Sequence, residues 1–78
     1  MITLRIEQGE GGYFGSYHIY ANGHEMDGHN VSPLASEAAV RADFGALLQK
    51  LGITEDVTII RAATATPETV PAAELGAE

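Results

Sequence analysis

Hydrophobic and polar residues alternate strictly near the start of the chain, in the segment ITLRIE of residues 2–7. Because successive side chains of a strand point to opposite faces, this segment predicts a strand with one buried face. After the glycine-rich turn of residues 8–12, the aromatic and β-branched residues of 13–21 predict a second strand. Asn22-Gly23 favours a type I′ hairpin turn, which returns the chain into a third strand, HEMDGH, over residues 24–29.

After residue 32 the apolar spacing changes to that of a helix. Apolar residues recur at intervals of four, seven, eight and eleven, which places them on one stripe of an amphipathic helix. They are Val40, Phe44, Leu47, Leu48 and Leu51. Ser32 followed by Pro33 and Ser36 followed by Glu37 are equally good starts for this helix, and Gly52 ends it. The segment DVTIIRA, residues 56–62, then predicts a fourth strand.

These elements predict an α+β fold, a two-layer sandwich in which one amphipathic helix covers one face of an antiparallel sheet in β-β-β-α-β order. The residues expected to meet the helix stripe are Ile2, Leu4, Ile6, Tyr17, Ile19, Met26, Val57 and Ile59. Residues 1–62 are therefore interpreted as a single domain. An exposed edge on its first or fourth strand would permit an edge-strand homodimer, and the alternative is a monomer.

Residues 63–78 differ in composition from the rest of the chain. They contain two prolines, three acidic residues and no basic residue. Burial of so little apolar surface does not offset the conformational entropy lost on ordering, so the composition predicts a disordered acidic tail.

Charge excludes one class of partner. Eleven acidic residues face four basic ones over the 78 residues, for a net charge of −7. Nucleic-acid binding depends on Lys and Arg neutralising phosphates, so we expect no direct contact with nucleic acid. A basic protein surface is the partner that this charge favours. The absence of cysteine excludes thiolate metal sites and disulfides, and, with no signal peptide or membrane span apparent, predicts a cytoplasmic protein.

The segment ANGHEMDGHN, residues 21–30, superficially matches the H-E-x-x-H motif of zinc peptidases. That motif requires histidines four residues apart on a helix, whereas His24 and His29 are five apart and follow a turn. On a strand, an odd separation directs the two rings to opposite faces. The glycines of residues 9–15 lead into a strand and lack the lysine of a phosphate loop, and no G-x-S-x-G motif is present. We therefore expect a protein that is not an enzyme and has no cofactor or metal.

Pairing through the Asn22-Gly23 turn places His18 opposite Asp27 and Tyr20 opposite Glu25, on the sheet face away from the helix. This face is the predicted partner-binding site, and its candidate residues are Glu7, Glu10, Phe14, His18, Tyr20, Glu25 and Asp27. Aromatic residues are enriched at interfaces, and acidic neighbours select a basic partner. The alternative is that Phe14 and Tyr20 only cover the sheet or pack beneath the tail.

The order of elements resembles that of the HicB-type antitoxin domain, a partial RNase H-like β-β-β-α-β unit. Glu10-Gly11-Gly12-Tyr13 is similar to that family's turn into its second strand, and Ser36-Glu37-Ala38 is similar to its helix start. The likeness covers residues 1–61. It implies a module that binds and neutralises a small toxin.

In overall character the chain also resembles the small anti-CRISPR proteins of phages and mobile elements that act on type I systems. The shared features are short length, acidity, lack of cysteine, and one sheet with one helix. This resemblance implies a non-enzymatic inhibitor in a bacterial host cell that binds a subunit of a Cas effector complex and blocks its DNA binding.

Overall fold

The structure is a computed structural model, and it describes residues 1–21, 23–30, 32–61 and 64–75, apart from the side chains of residues 64, 65 and 73. Its strands are β1 (Ile2–Gly9), β2 (Gly12–Ala21), β3 (His24–His29), β4 (Asp56–Arg61) and β5 (Thr64–Pro71), and its helices are α1 (Glu37–Leu51) and α2 (Ala72–Leu75). The predicted α+β class and the β-β-β-α-β order are confirmed, and a strand and a short helix follow them.

The five strands form a mixed sheet in the order β3-β2-β1-β4-β5. β1 pairs antiparallel with β2 but parallel with β4, which corrects the prediction of an antiparallel sheet. The reason is α1, because a helix between β3 and β4 returns the chain to the end of the sheet where β3 began. β1 and β4 both lie inside the sheet, so neither has the exposed edge that the sequence predicted for it. The edges of the described sheet are β3 and β5.

α1 begins at the second of the two predicted starts. The Ser36 side chain accepts a hydrogen bond from the Ala39 N–H, which caps the first turn. The earlier start is unavailable because Leu34 exchanges two backbone hydrogen bonds with Tyr13, at the beginning of β2. Gly52 ends the helix as predicted, with a left-handed φ of 73°. The Asn22-Gly23 turn lies partly outside the described residues, although Gly23 has the positive φ that a type I′ turn requires.

The core lies between α1 and the sheet. Six of the eight predicted sheet residues are at most 3% exposed, namely Ile2, Leu4, Ile6, Ile19, Val57 and Ile59. Tyr17 is partly buried, with its ring centroid 5.1 Å from that of Phe44. Met26 is 37% exposed and Leu51 is 41% exposed, which corrects their prediction as core residues. α1 packs against α2 and β2 and leaves the helix side of β3 largely open.

A strand and a helix occupy the segment that the composition predicted to be a disordered tail. Val70 pairs with Val57 of β4, and it is buried together with Ala72 and Leu75. β5 buries one face in the core beneath the helices, and its backbone gains a hydrogen-bonding partner in β4. The structure therefore corrects the tail prediction for residues 64–75, whereas residues 63 and 76–78 lie outside the described ranges.

Candidate functional site

Both helices lie on one side of the sheet, because α2 packs against α1 and contributes Ala72 and Leu75 to the same core. No segment within the described ranges crosses the opposite side, which we call the outer face. Strand alternation assigns residues to it. The outer face contains Thr3, Arg5, Glu7, Phe14, Ser16, His18, Tyr20, Glu25, Asp27, His29, Asp56, Thr58, Ile60 and Thr69.

The predicted partner-binding residues all lie on the β1–β2–β3 part of the outer face, but in two groups at opposite ends of β2. The register pairs Tyr20 with Glu25 and His18 with Asp27, as the hairpin turn predicted, and it pairs Glu7 with Phe14. Glu10 is exposed in the turn between β1 and β2. A role of these residues in partner binding remains a prediction.

The two aromatic residues of this group differ in exposure. Tyr20 is 59% exposed, the largest exposure among the described aromatic side chains of the sheet. Phe14 is half-buried, and its ring lies across Gly9 of β1. Tyr20 is therefore largely accessible to solvent, whereas Phe14 mainly covers the sheet.

His18 lies between two acidic side chains of β3. Its Nδ1 shares a hydrogen bond with Oδ1 of Asp27, and its Nε2 lies 3.3 Å from Oε2 of Glu25. The three side chains remain 44%, 74% and 61% exposed, respectively. Exposed pairs of this kind contribute only about 0–1 kcal/mol to stability. Their main effect is to orient two carboxylates at the rim of the sheet.

Two of the four basic residues are paired on the helix side. Arg61 donates to Glu37 from Nε at 2.6 Å and from Nη2 at 3.0 Å. Glu68 of β5 contacts both guanidinium groups, Arg61 Nη2 at 2.8 Å and Arg41 Nη2 at 3.5 Å. The hydrogen bond from Arg61 lowers the pKa of Glu37 below its usual range, and the same contacts raise the pKa of Arg61.

This pairing leaves the outer face acidic. Four carboxylates project from its strands, those of Glu7, Glu25, Asp27 and Asp56, and Glu10 adjoins them in the turn. Arg5 is the basic residue that strand alternation places among them. Acidic groups concentrated on one surface produce a negative potential that attracts cationic partners.

The sequence prediction of the site missed Asp56 and the second carboxylate contact of His18. The alternation of Asp56, Thr58 and Ile60 with the buried Val57 and Ile59 was sufficient to place Asp56 on the outer face. The contact between His18 and Glu25 was not visible in the pairing register, because these residues are diagonal neighbours across β2 and β3.

Within the described residues, no cluster of three or more His, Asp or Glu side chains is arranged to hold a metal ion. None of the described helices is long and apolar enough to cross a membrane. Comparisons with protein-family models, with curated proteins and with solved structures find no match to this chain.

Proposed function

We propose that this protein is a non-enzymatic inhibitor that binds a basic surface of a nucleic-acid-handling protein complex. The observation that carries the proposal is the uncovered outer face, where Tyr20 projects beside the oriented carboxylates of Glu25 and Asp27. An exposed aromatic side chain surrounded by acidic groups has the composition of an interface selective for a cationic partner.

The distribution of the basic residues supports the same proposal. Arg41 and Arg61 are engaged by acidic residues on the helix side, so they do not offset the carboxylates of the outer face. A partner surface rich in Lys and Arg gains electrostatic attraction from this arrangement. Surfaces that hold DNA are rich in Lys and Arg because they neutralise phosphates.

The specific activity that we propose is anti-CRISPR: the protein occupies a DNA-binding surface of a type I Cas effector complex and prevents DNA from binding there. Its support is the acidic outer face, which presents carboxylates where the complex would otherwise contact phosphates. Inhibition by this route requires no catalytic group and no cofactor.

The test is a gel-shift measurement of a purified type I Cas effector complex on target DNA. We expect the wild-type protein to reduce DNA binding, and Glu25→Lys combined with Asp27→Lys to raise the concentration needed for half-inhibition at least tenfold. Since Glu25 and Asp27 are exposed, this variant should retain the wild-type circular dichroism spectrum.

The matched control is Glu55→Lys combined with Glu74→Lys. It changes the net charge equally, from −7 to −3, at exposed residues that do not belong to the strands of the outer face. We expect the concentration that this control needs for half-inhibition to stay within about twofold of the wild-type value. No effect of the wild-type protein on DNA binding would overturn the anti-CRISPR proposal, and equal loss in both variants would overturn the outer face as its site.

A HicB-like antitoxin-type module is the second candidate function. It is supported by the β-β-β-α-β order of the first five elements, on which the resemblance to that domain rests. Co-expression with a small basic toxin encoded beside it should then restore growth, and the same variant pair would assign the binding face.

A further inference from the structure

β3 has one backbone edge that no described strand pairs with. The N–H of Asn30 donates to the Gly15 carbonyl, so the alternating ladder directs residues 24, 26 and 28 toward β2. The backbone N–H and C=O groups of Glu25, Asp27 and His29 consequently point away from the sheet. These three residues form an open hydrogen-bonding edge.

An apolar groove runs beside this edge on the helix side. It has a volume of about 300 Å³ and lies between β3 and the C-terminal end of α1. Its apolar lining consists of Ile19, Ala21, Met26, Leu51 and Ile53. Met26 and Leu51 are two of the four large hydrophobic side chains that are exposed in the described structure.

The other side of the same edge is acidic. Glu25 and Asp27 project onto the outer face, where His18 orients both carboxylates. β3 therefore presents acidic groups on one face and an apolar groove on the other, with free backbone groups between them. An added strand would place alternate side chains on these two faces.

We propose that β3 binds an extended segment of a basic partner by antiparallel strand addition. The segment alternates Lys or Arg with apolar residues, its basic side chains facing Glu25 and Asp27 and its apolar side chains entering the groove beside Met26 and Leu51. Charge complementarity selects this occupant, and backbone pairing supplies affinity as in other cases of strand addition. The proposal rests on the proposed function, and it specifies how the partner is held.

A second copy of the chain fits this edge less well. Antiparallel pairing of β3 with itself must keep the acidic residues on the same face. When Met26 pairs with Met26, Glu25 lies opposite Asp27 of the other copy, and a shift by one residue in each strand places Asp27 opposite Asp27. Like charges directly opposite each other destabilise a strand pair.

The experiment titrates isotope-labelled protein with the peptide acetyl-(Lys-Val)4-amide and follows backbone amide resonances. We expect the largest shifts at residues 25, 27 and 29, and at least tenfold weaker binding of a Glu-Val peptide and of a Lys-Lys-Val-Val peptide. N-methylation of the lysines should abolish binding, because their N–H groups face β3. N-methylation of the valines, whose N–H groups face away from β3, is the matched control. It should leave the dissociation constant within threefold of that of the unmethylated peptide.

A variant pair tests the same edge from the protein side. His29→Pro removes an outward N–H, which an edge strand tolerates, whereas His29→Ser retains it. Only the proline variant should weaken peptide binding, and circular dichroism establishes that it remains folded. Equal binding by the two N-methylated peptides would overturn the proposal even if the proline variant failed to fold. Sedimentation that shows a dimer of the wild-type protein and a monomer of the folded His29→Pro variant would overturn the choice of occupant.

The same variants separate this proposal from the proposed function. If Glu25→Lys with Asp27→Lys abolishes inhibition of the effector complex while His29→Pro does not, the acidic face functions without strand addition. If the Lys-Val peptide binds β3 but the wild-type protein leaves the effector complex unaffected, strand addition stands and the proposed function fails.

Discussion

At the scale of single residues, the molecule contains two kinds of ionic contact with different consequences. Arg61 holds Glu37 through two parallel hydrogen bonds, and the side chains of both residues are at most one-third exposed. The contacts of His18 with Glu25 and Asp27 are more exposed and more strongly screened by water. We infer that the Glu37–Arg61 pair contributes to stability, and that the His18 contacts mainly position carboxylates.

Glu37→Gln should lower the free energy of unfolding by about 1 kcal/mol at pH 7. Because Arg61 lowers the pKa of Glu37 in the folded state, the ionised carboxylate stabilises the fold above the usual pKa near 4.5. This contribution is lost as the pH falls through the lowered pKa. Urea unfolding should therefore show a difference between wild type and variant that shrinks as the pH falls below 4.5.

Glu55→Gln is the control for this pH dependence. Glu55 is exposed, and none of the ion pairs found in the described structure involves it. The free energy of unfolding of this variant should stay within about 0.5 kcal/mol of the wild-type value at neutral and at low pH. A Glu37→Gln deficit that is equally large at low and neutral pH would contradict an ionic origin.

At the scale of elements, β5 and α2 complete the core. α2 places Leu75 among the fully buried side chains, and β5 brings Val70 beside Val57. The same segment brings Glu68 to Arg41 and Arg61. Residues 64–75 are therefore part of the domain. A domain this small has little buried surface, so removing the core residues of this segment should lower its stability substantially.

Leu75→Ala should destabilise the protein by about 2–4 kcal/mol, because it removes a fully buried side chain and leaves a cavity. The measurement is thermal unfolding, in which about 1 kcal/mol shifts Tm by roughly 4–8 °C for a domain of this size. The neighbouring Glu74→Ala removes an exposed side chain and should change Tm little. An unchanged Tm for Leu75→Ala would mean that the segment is disordered, as its composition predicted.

The elements that could be predicted are those with a local signal. Alternation marked β1, the Ser36 and Gly52 signals marked the ends of α1, and the hairpin turn set the register of β2 and β3. β5 lacks such a signal, since Thr66, Pro67, Thr69 and Pro71 are exposed. Its stability comes from partners distant in sequence. The parallel pairing of β1 with β4 is likewise a non-local consequence of the crossover.

At the scale of the whole molecule, charge is distributed unequally between the two sides of the sheet. Arg41 and Arg61 are engaged on the helix side, and the outer face carries carboxylates with Arg5 as its base. The position of this acidic surface followed from the sequence, because alternation assigns faces. The open groove could not be predicted from the sequence, because it depends on where α1 crosses the sheet. The apolar stripe of α1 predicted that Leu51 would be buried, but it is exposed.

Binding of the proposed basic partner should weaken steeply as salt is raised from about 50 to about 300 mM, because ions screen exposed charges. Calorimetric titration at several salt concentrations measures the slope of this dependence, that is, how steeply the affinity falls as salt is raised. Glu25→Lys with Asp27→Lys should flatten it, whereas the charge-matched Glu55→Lys with Glu74→Lys should retain most of it. A slope equal in the two variants would mean that attraction depends on net charge and not on the outer face.

The central position of β1 also has a consequence for how the chain folds during synthesis. Thr3 pairs with His18 on one side and with Thr58 on the other. One backbone edge of β1 therefore stays unpaired until β4, much later in the chain, has been synthesised. β1, β2 and β3 emerge from the ribosome before α1 and β4, and their apolar face meets solvent in the meantime. Pairing between such distant segments slows folding. The nascent three-stranded sheet is thus the stage at which this protein most needs protection from aggregation.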